Sequence, residues 1–455
     1  MTIKEKYIGD KDFYNKVITL ALPMMFQGLL VSLSGLVDNL MVASLGDSFL
    51  SGVAAANRFY LIFNFAVNGT VLGAGIFIGQ YLGAQKPEKM RESFRSSIIL
   101  AFIMAVPFFI LMLFFPKNVL HFFTNEASVV ASGLDYYRGV VWTVFPLSVS
   151  LAIGVAIRST GDTRTPIIAS SIGIAVNLFF NFLLINGNWG FRALGVYGSA
   201  LATLFSRIVE MLILLYIMKV KHYDFSTKIK DLFDFDFKLF KLITKNAINI
   251  AGNEVLWGAS FAFLMKFYAT RGPAAMSAYS IAGSITDIFF VLFGGMSAAT
   301  TVLVGHKLGA NKFKKAKQNG YRLISLSLMM SVVFGIVMIL ITFVVSDFYP
   351  DVSLEAQNIA KSLIIIMGLL FWTFMYNMQI LFMLRAGGDS LSAFIMDSGF
   401  MWMINIPIVA FFTYYTDISI VSLYLIGQMT DVVKLLVSTY VFKKELWIKN
   451  VTELV

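Results

Sequence analysis

The sequence predicts an all-α polytopic membrane protein, with twelve transmembrane helices in two six-helix lobes related by a pseudo-twofold axis along the membrane normal. Three observations carry this. The 455 residues are 58% hydrophobic and 14% charged, with a mean hydropathy of +0.77, whereas soluble domains are about 45–50% apolar and about 25% charged. Apolar runs of roughly 20 residues, enough to cross a bilayer, recur along nearly the whole chain. Two polar phrases are also written twice at one spacing. GQYLGAQKPEKM (Gly79 to Met90) returns 226 residues later as GHKLGANKFKKA, and RSTGD (Arg158 to Asp162) returns 227 residues later as RAGGD.

Runs bounded by polar or Gly/Pro clusters place the spans at roughly 15–44, 50–82, 93–115, 128–157, 165–186, 194–219, 240–269, 275–307, 320–346, 355–384, 391–413 and 418–442. The echoes follow spans two and eight, and spans four and ten. Each repeat therefore holds six spans, an even number, so the two run in the same direction, as in parallel-repeat transporters that alternate access by rocking. The expected division is residues 1–218 for the N-terminal lobe, 219–238 for a cytoplasmic linker and 239–455 for the C-terminal lobe.

Alternate connections carry 27 Lys and Arg, while the opposite side has Lys117, Arg192 and Arg271. This positive-inside asymmetry puts both termini in the cytoplasm of a multi-pass plasma (inner) membrane protein. The net charge of +10 is thus topogenic: it argues for contact with anionic lipid headgroups and against a nucleic-acid partner. The polar, lysine-bearing start leads straight into a span, so the first helix is expected to serve as its own targeting signal. With no cysteine there is no disulfide framework. His121, His222 and His306 lie in or near loops, and neither HEXXH nor GxSxG occurs, which argues against an enzyme. The repeated glycine phrase is not a phosphate loop; its glycines are expected to cap the preceding helix.

Ionisable side chains within spans cost about 2.5–3.5 kcal/mol on insertion scales and are functional candidates by default. Arg207 and Glu210, and Asp431 and Lys434, stand three residues apart on one helix face and are expected to neutralise each other. Asp397, six residues into its span, is expected to reach the interface. Asp38, Glu254 and Asp287 have no such partner and are the candidate cation-coupling acids. Gln27, Ser34 and Asp38 form one polar stripe. Asn64 and Asn68, Asn177 and Asn181, and Asn253, Trp257, Asn377 and Gln379 are candidate cavity-lining residues; the alternative for the amides is interhelical hydrogen bonding worth under about 1–2 kcal/mol. A carboxyl group so placed is protonated when dry and ionised when wet or cation-bound, so H⁺ or Na⁺ at Asp38 or Glu254 is the expected exchange. Under the repeat offset Asp38 faces Leu264 or Met265, and Glu254 faces Gln27 or Gly28. Two sites at different depths follow, Glu254 about 15 Å nearer the cytoplasm.

Leu22-Pro23 in the first span, VDNLMVASLG (Val37 to Gly46), the run Val53 to Ala56, GQYLGAQ, RSTGDTRTP and NLFFNFLLINGNWG together resemble the multidrug and toxic compound extrusion (MATE) family, over nearly the whole chain. The resemblance implies an efflux antiporter without a cofactor, exchanging amphipathic, often cationic organic compounds for inward H⁺ or Na⁺. Asp38 matches the family's first-helix coupling acid, and Asn177 and Asn181 match its fifth-helix polar pair. Relatives with a second-lobe Na⁺ site pair acids in helices seven and ten, but here the tenth span offers Asn377 and Gln379. H⁺ coupling centred on Asp38 is therefore preferred over Na⁺, with the chain acting as a monomer. The runner-up, a flippase for lipid-linked oligosaccharides, would need a more cationic cavity than Arg58 and Lys266 supply.

Overall fold

The computed structural model describes residues 6–350 and 352–454. Among them there is no strand, and twelve long helices carry the chain. They are α1 Lys11–Ala43, α2 Asp47–Gly83, α3 Pro87–Phe114, α4 Ala127–Ser159, α5 Arg164–Leu184, α6 Gly195–Lys221, α7 Phe237–Ala269, α8 Pro273–Gly309, α9 Phe313–Ile341, α10 Leu354–Ala386, α11 Ser390–Tyr415 and α12 Ile420–Lys443. Eleven are long and apolar enough to cross a membrane. The remaining one, α7, has 33 residues but is more polar, because Asn246, Asn249, Asn253 and Glu254 interrupt its apolar positions.

Helices α3 and α9 begin at Pro87 and Phe313, not near 93 and 320 as the apolar runs suggest. The charged residues that close each repeated phrase already belong to the next helix, and in α3 a proline in the first turn sacrifices no intrahelical hydrogen bond. The phrase itself is a Schellman cap. Lys86 N–H donates to the Tyr81 carbonyl at 3.1 Å and Gln85 N–H to Leu82 at 3.1 Å; Lys312 donates to Lys307 at 2.8 Å and Asn311 to Leu308 at 3.0 Å. This is the 6→1 and 5→2 pattern of that motif. The glycines expected to supply the left-handed residue do not. Gly83 and Gly309 stay helical, and Gln85 (φ 57°) and Asn311 (φ 56°) take the left-handed conformation. In the second echo Gly161 (φ 97°) and Gly388 (φ 75°) do occupy the region that favours glycine.

The chain packs as two compact units. One is Phe26–Ala251; the other joins the residues up to Met25 with Gly252–Leu454. The division thus falls inside α1 and α7, whereas the boundaries 218 and 239 read from the sequence mark where the repeats join. Small residues explain the difference. In the first unit a Cβ on Gly69 would stand 2.5 Å from Ala251 Cα and one on Gly73 2.6 Å from Ala247 Cα, so α2 touches the backbone of α7's first half. In the second unit a Cβ on Gly295 would stand 2.5 Å from the Ala21 carbonyl oxygen and 2.9 Å from Met25 Cγ. The two contacts are repeat equivalents, since 69, 21 and 25 become 295, 247 and 251 at the offset of 226. Each unit is completed by half a helix from the other repeat.

Each unit also carries a polar strap after its last helix. After α6 the chain turns back so that Lys221 Nζ and Tyr223 Oη donate to Asp162 Oδ2 at 2.8 and 2.6 Å. Arg95 donates to Thr227 Oγ1 and the Asp234 carbonyl, and Lys89 bridges Glu92 at 2.9 Å and Asp236 at 3.4 Å. After α12 the tail does the same work: Lys449 pairs with Asp389 at 3.6 Å, Lys317 pairs with Glu445, Asn450 donates to Asn311 Oδ1 at 2.6 Å, and buried Trp447 lies against Gly320 and Gly387. The linker is thus packed on one unit. Burial would push the Asp162 carboxyl up, but hydrogen bonds from Lys221, Thr165 and Tyr223 outweigh it and hold the group well below the usual carboxylate range.

Two outcomes follow for thermal unfolding of the purified protein. Gly295→Ala is expected to cost about 1–3 kcal/mol, since the Ala21 backbone must retreat. Asp162→Asn is expected to cost about 1.5–3 kcal/mol, the range for hydrogen bonds to a charged group. Because the folded group titrates below its unfolded value, this contribution is complete above about pH 4 and fades as the pH falls through the folded value. The variant and the parent should therefore differ at neutral pH and converge in strong acid.

Candidate functional site

In the first unit the carboxylate of Asp38, half-buried on α1, meets the two buried asparagines of α5. Asn181 Nδ2 donates to Asp38 Oδ1 at 2.7 Å, and the Asn177 amide, with its nitrogen turned to the acid, donates to Oδ1 and Oδ2 at 2.7 and 3.1 Å. The spacing of four residues puts both amides on one face of α5, which is why they converge on a single carboxylate. Asp38 makes no ion pair among the described residues. Arg207 is near enough to act on it electrostatically, but its guanidinium is committed to Glu210 at 2.8 Å, the intrahelical pair expected from the sequence. About three turns back along the stripe, Gln27 Nε2 donates to Ser170 Oγ on α5 at 2.9 Å. Asn64 donates back to the Tyr60 carbonyl of its own helix at 2.9 Å, while Ser34 and Asn68 are half-buried without a hydrogen bond among the described residues.

The second unit holds a different constellation. Glu254 on α7 pairs with Arg385 at the end of α10 at 2.7 Å, both largely buried. Its neighbour Asn253 donates to Asp397 Oδ2 on α11 at 3.0 Å, and Lys434 Nζ of α12 donates to Asp397 Oδ1 at 2.5 Å. This corrects two expectations. Lys434 turns to Asp397 rather than to Asp431 on its own helix, and Asp397 is sealed in the bundle, its side chain 5% exposed, rather than reaching the interface. The reason is local: residues Ile395–Gly399 form a π turn, and Asn253 completes it by accepting from Ser398 N–H at 3.2 Å and Oγ at 2.8 Å.

The remaining residues are dispersed. Gln379 is fully buried, accepting from Ser327 at 3.0 Å and donating to Thr300 at 2.9 Å, which makes it a cross-link among α8, α9 and α10. Asn377 donates to the Asp431 carbonyl at 3.0 Å. Trp257 packs edge-on against Phe261. Asp287 is exposed on α8 with no hydrogen bond or ion pair among the described residues.

Arg385 and Asp397 were not anticipated as site residues. Arg385 sits in the repeated loop phrase and reads as a topogenic charge until α10 is seen to extend to Ala386. A signal was present, however: Arg158 and Arg385, and Arg207 and Lys434, are basic pairs at the same offset of 227.

Two six-helix repeats that each build an acid–amide cluster among their own helices define a membrane transporter of the duplicated-lobe kind. The chain belongs to the MatE family, whose pattern matches residues 23–183 and again 250–411, so that each repeat carries one copy. It is 24% identical to the probable multidrug resistance protein YoeA of Bacillus subtilis (strain 168), over 94% of this chain and 93% of that one. It is also 24% identical to the probable multidrug resistance protein NorM of Thermotoga maritima, over 92% and 89%. Its fold is that of a MATE protein crystallised in a bent conformation, with a TM-score of 0.87 at 20% identity over 96% of both chains. An outward-facing multidrug resistance MATE transporter of the MOP superfamily gives the same figures.

The Glu254–Arg385 pair is testable by a double-mutant cycle on thermal stability. Glu254→Gln or Arg385→Gln alone leaves one buried charge uncompensated and is expected to cost about 3–5 kcal/mol, while the double variant loses much less.

Proposed function

We propose that this protein is a multidrug efflux antiporter of the plasma membrane, with both termini cytoplasmic, exporting amphipathic organic compounds by alternating access in exchange for a cation, H⁺ in preference to Na⁺. The observation that carries the coupling reading is the Asp38 carboxylate held between the amides of Asn177 and Asn181 without a counter-ion of its own. An amide offers both donors and an acceptor. The ionised acid accepts two N–H bonds, and the protonated acid can donate to an amide oxygen; Asn181 Oδ1 is buried and otherwise unpartnered. Both protonation states of Asp38 can thus be satisfied if one amide turns over to present its oxygen. Na⁺ would need several oxygens at once, whereas the amides present nitrogen to the carboxylate, which favours H⁺.

Glu254, balanced by Arg385, is the weaker coupling candidate, and exposed Asp287 is a further acid that can meet a cationic substrate. The relatives' names, which describe multidrug resistance, support the substrate class.

The test is drug efflux from proteoliposomes under a separately imposed pH or Na⁺ gradient. The native protein is expected to respond to the pH gradient. Asp38→Asn should abolish that response, and Glu254→Gln should retain it if it remains folded. Unchanged pH-driven exchange in Asp38→Asn overturns the coupling reading, and movement of lipid-linked saccharide without any drug efflux overturns the substrate reading.

A further inference from the structure

The charged cluster of the second unit has a counterpart in the first from which the acids are missing. In the second unit Glu254, Asp397 and Asp431 lie with Arg385 and Lys434. Under the offsets of 226 and 227 the three acids correspond to Gly28, Ser170 and Leu204, while the two bases correspond to Arg158 and Arg207. The first unit thus keeps both bases and none of these acids. The register is structural as well as numerical: Gln27 bonds Ser170 in one unit just as Asn253 bonds Asp397 in the other, so Gly28 holds the place that Glu254 holds beside Arg385. Arg207 has a substitute partner in Glu210 at 2.8 Å, whose own counterpart is Val437. Arg158 has none. It makes no hydrogen bond or ion pair among the described residues, and Glu210, which acts on it electrostatically, is committed to Arg207.

We propose that Arg158 anchors an anion site in the first unit that takes a carboxylate from a ligand, the group that Glu254 supplies internally in the second. The side chain is half-buried and is not swung out past the end of α4. It lies back over the preceding turn, where a Cβ on Gly154 would stand 3.3 Å from Nη1; the second repeat has Leu381 at that place. A guanidinium presents five N–H donors in a rigid fork and no acceptor, and a charge in a span is costly unless it is paired. The partner in the twin site is a carboxylate, which meets such a fork with two parallel N–H···O bonds. Charge selects the same group. Arg158, Arg207 and Glu210 together leave one positive charge, which a carboxylate balances, whereas a phosphate monoester brings about −1.5 to −2 beside Glu210. The inference rests on the efflux reading only for what the ligand is: a transported compound with a carboxylate on an apolar body, so that amphipathic acids and zwitterions join the substrate class.

Binding is read by thermal unfolding of the purified full-length protein in detergent at neutral pH, titrated with sodium benzoate and, separately, with benzamide, its uncharged isostere, at constant ionic strength. No gradient is imposed and no transport is measured, so this site and the coupling reading at Asp38 can fail separately. Benzoate is expected to raise the unfolding temperature of the native protein, because a ligand held only by the folded state stabilises it, and benzamide to leave it unchanged. Arg158→Gln should weaken benzoate about 10- to 100-fold, the worth of hydrogen bonds to a charged group. Arg158→Lys, which keeps the charge without the fork, should recover part of that affinity. Gly28→Glu, which supplies the acid of the second repeat, should abolish the benzoate response; if it does not fold, the two Arg158 variants decide the matter alone. The proposal is overturned if benzoate has no effect or is matched by benzamide, if its effect survives Arg158→Gln undiminished, or if inorganic phosphate stabilises the native protein where benzoate does not.

Discussion

A charge in the hydrocarbon of a bilayer has no water to fall back on, and four charged side chains of this protein are met by partners on other helices or within a turn of their own. Asp38 is met by amides from α5, Glu254 by Arg385, Asp397 by Lys434, and Arg207 by Glu210. These solutions differ in how reversible they are. An amide pair tolerates either protonation state of its acid, whereas a buried ion pair resists any change in either member, since removing one charge strands the other. The two halves therefore differ in the partner chosen, amides for Asp38 and ion pairs for Glu254 and Asp397.

Backbone approach sets the second constraint. Helices in a membrane gain little from burying apolar surface against one another, so close packing of small residues has to hold them together. Gly69 and Gly295 provide that packing at equivalent places, with Gly73 adding a second contact in the first unit, and the segments they receive are the first halves of α7 and α1. The same helices that carry Asp38, Asn253 and Glu254 further along are therefore anchored at one end in one compact unit and continue into the other.

Much of the fold was legible in the sequence because a bilayer imposes a length and a polarity on every span. All twelve helices lie where the apolar runs put them, apart from the charged first turns of α3 and α9, where apolar patterning has nothing to report. The site was legible where its members share one helix face: Asn177 and Asn181 at a spacing of four, and Arg207 with Glu210 at three. It was not legible where partners come from different helices. Lys434 has an acid three residues away in its own sequence and bonds another 37 residues away, and Asp397 faces inward because of a π turn that no residue type announces. Gln379 was placed with the lining residues on polarity alone, yet packing uses its amide to join three helices.

The two straps match each other across the repeats. Lys221 and Tyr223 on Asp162 are matched by Lys449 on Asp389, each strap closing onto the end of the fourth helix of its own repeat. The linker is thus the counterpart of the tail, and the duplicated module comprises six helices and the strap that follows them. The boundary between the two repeats accordingly lies past the last strap contact at Asp236, at the threshold of α7, rather than at the end of α6. Each repeat thus carries its own closing segment, so neither depends on the other to seal the end of its fourth helix.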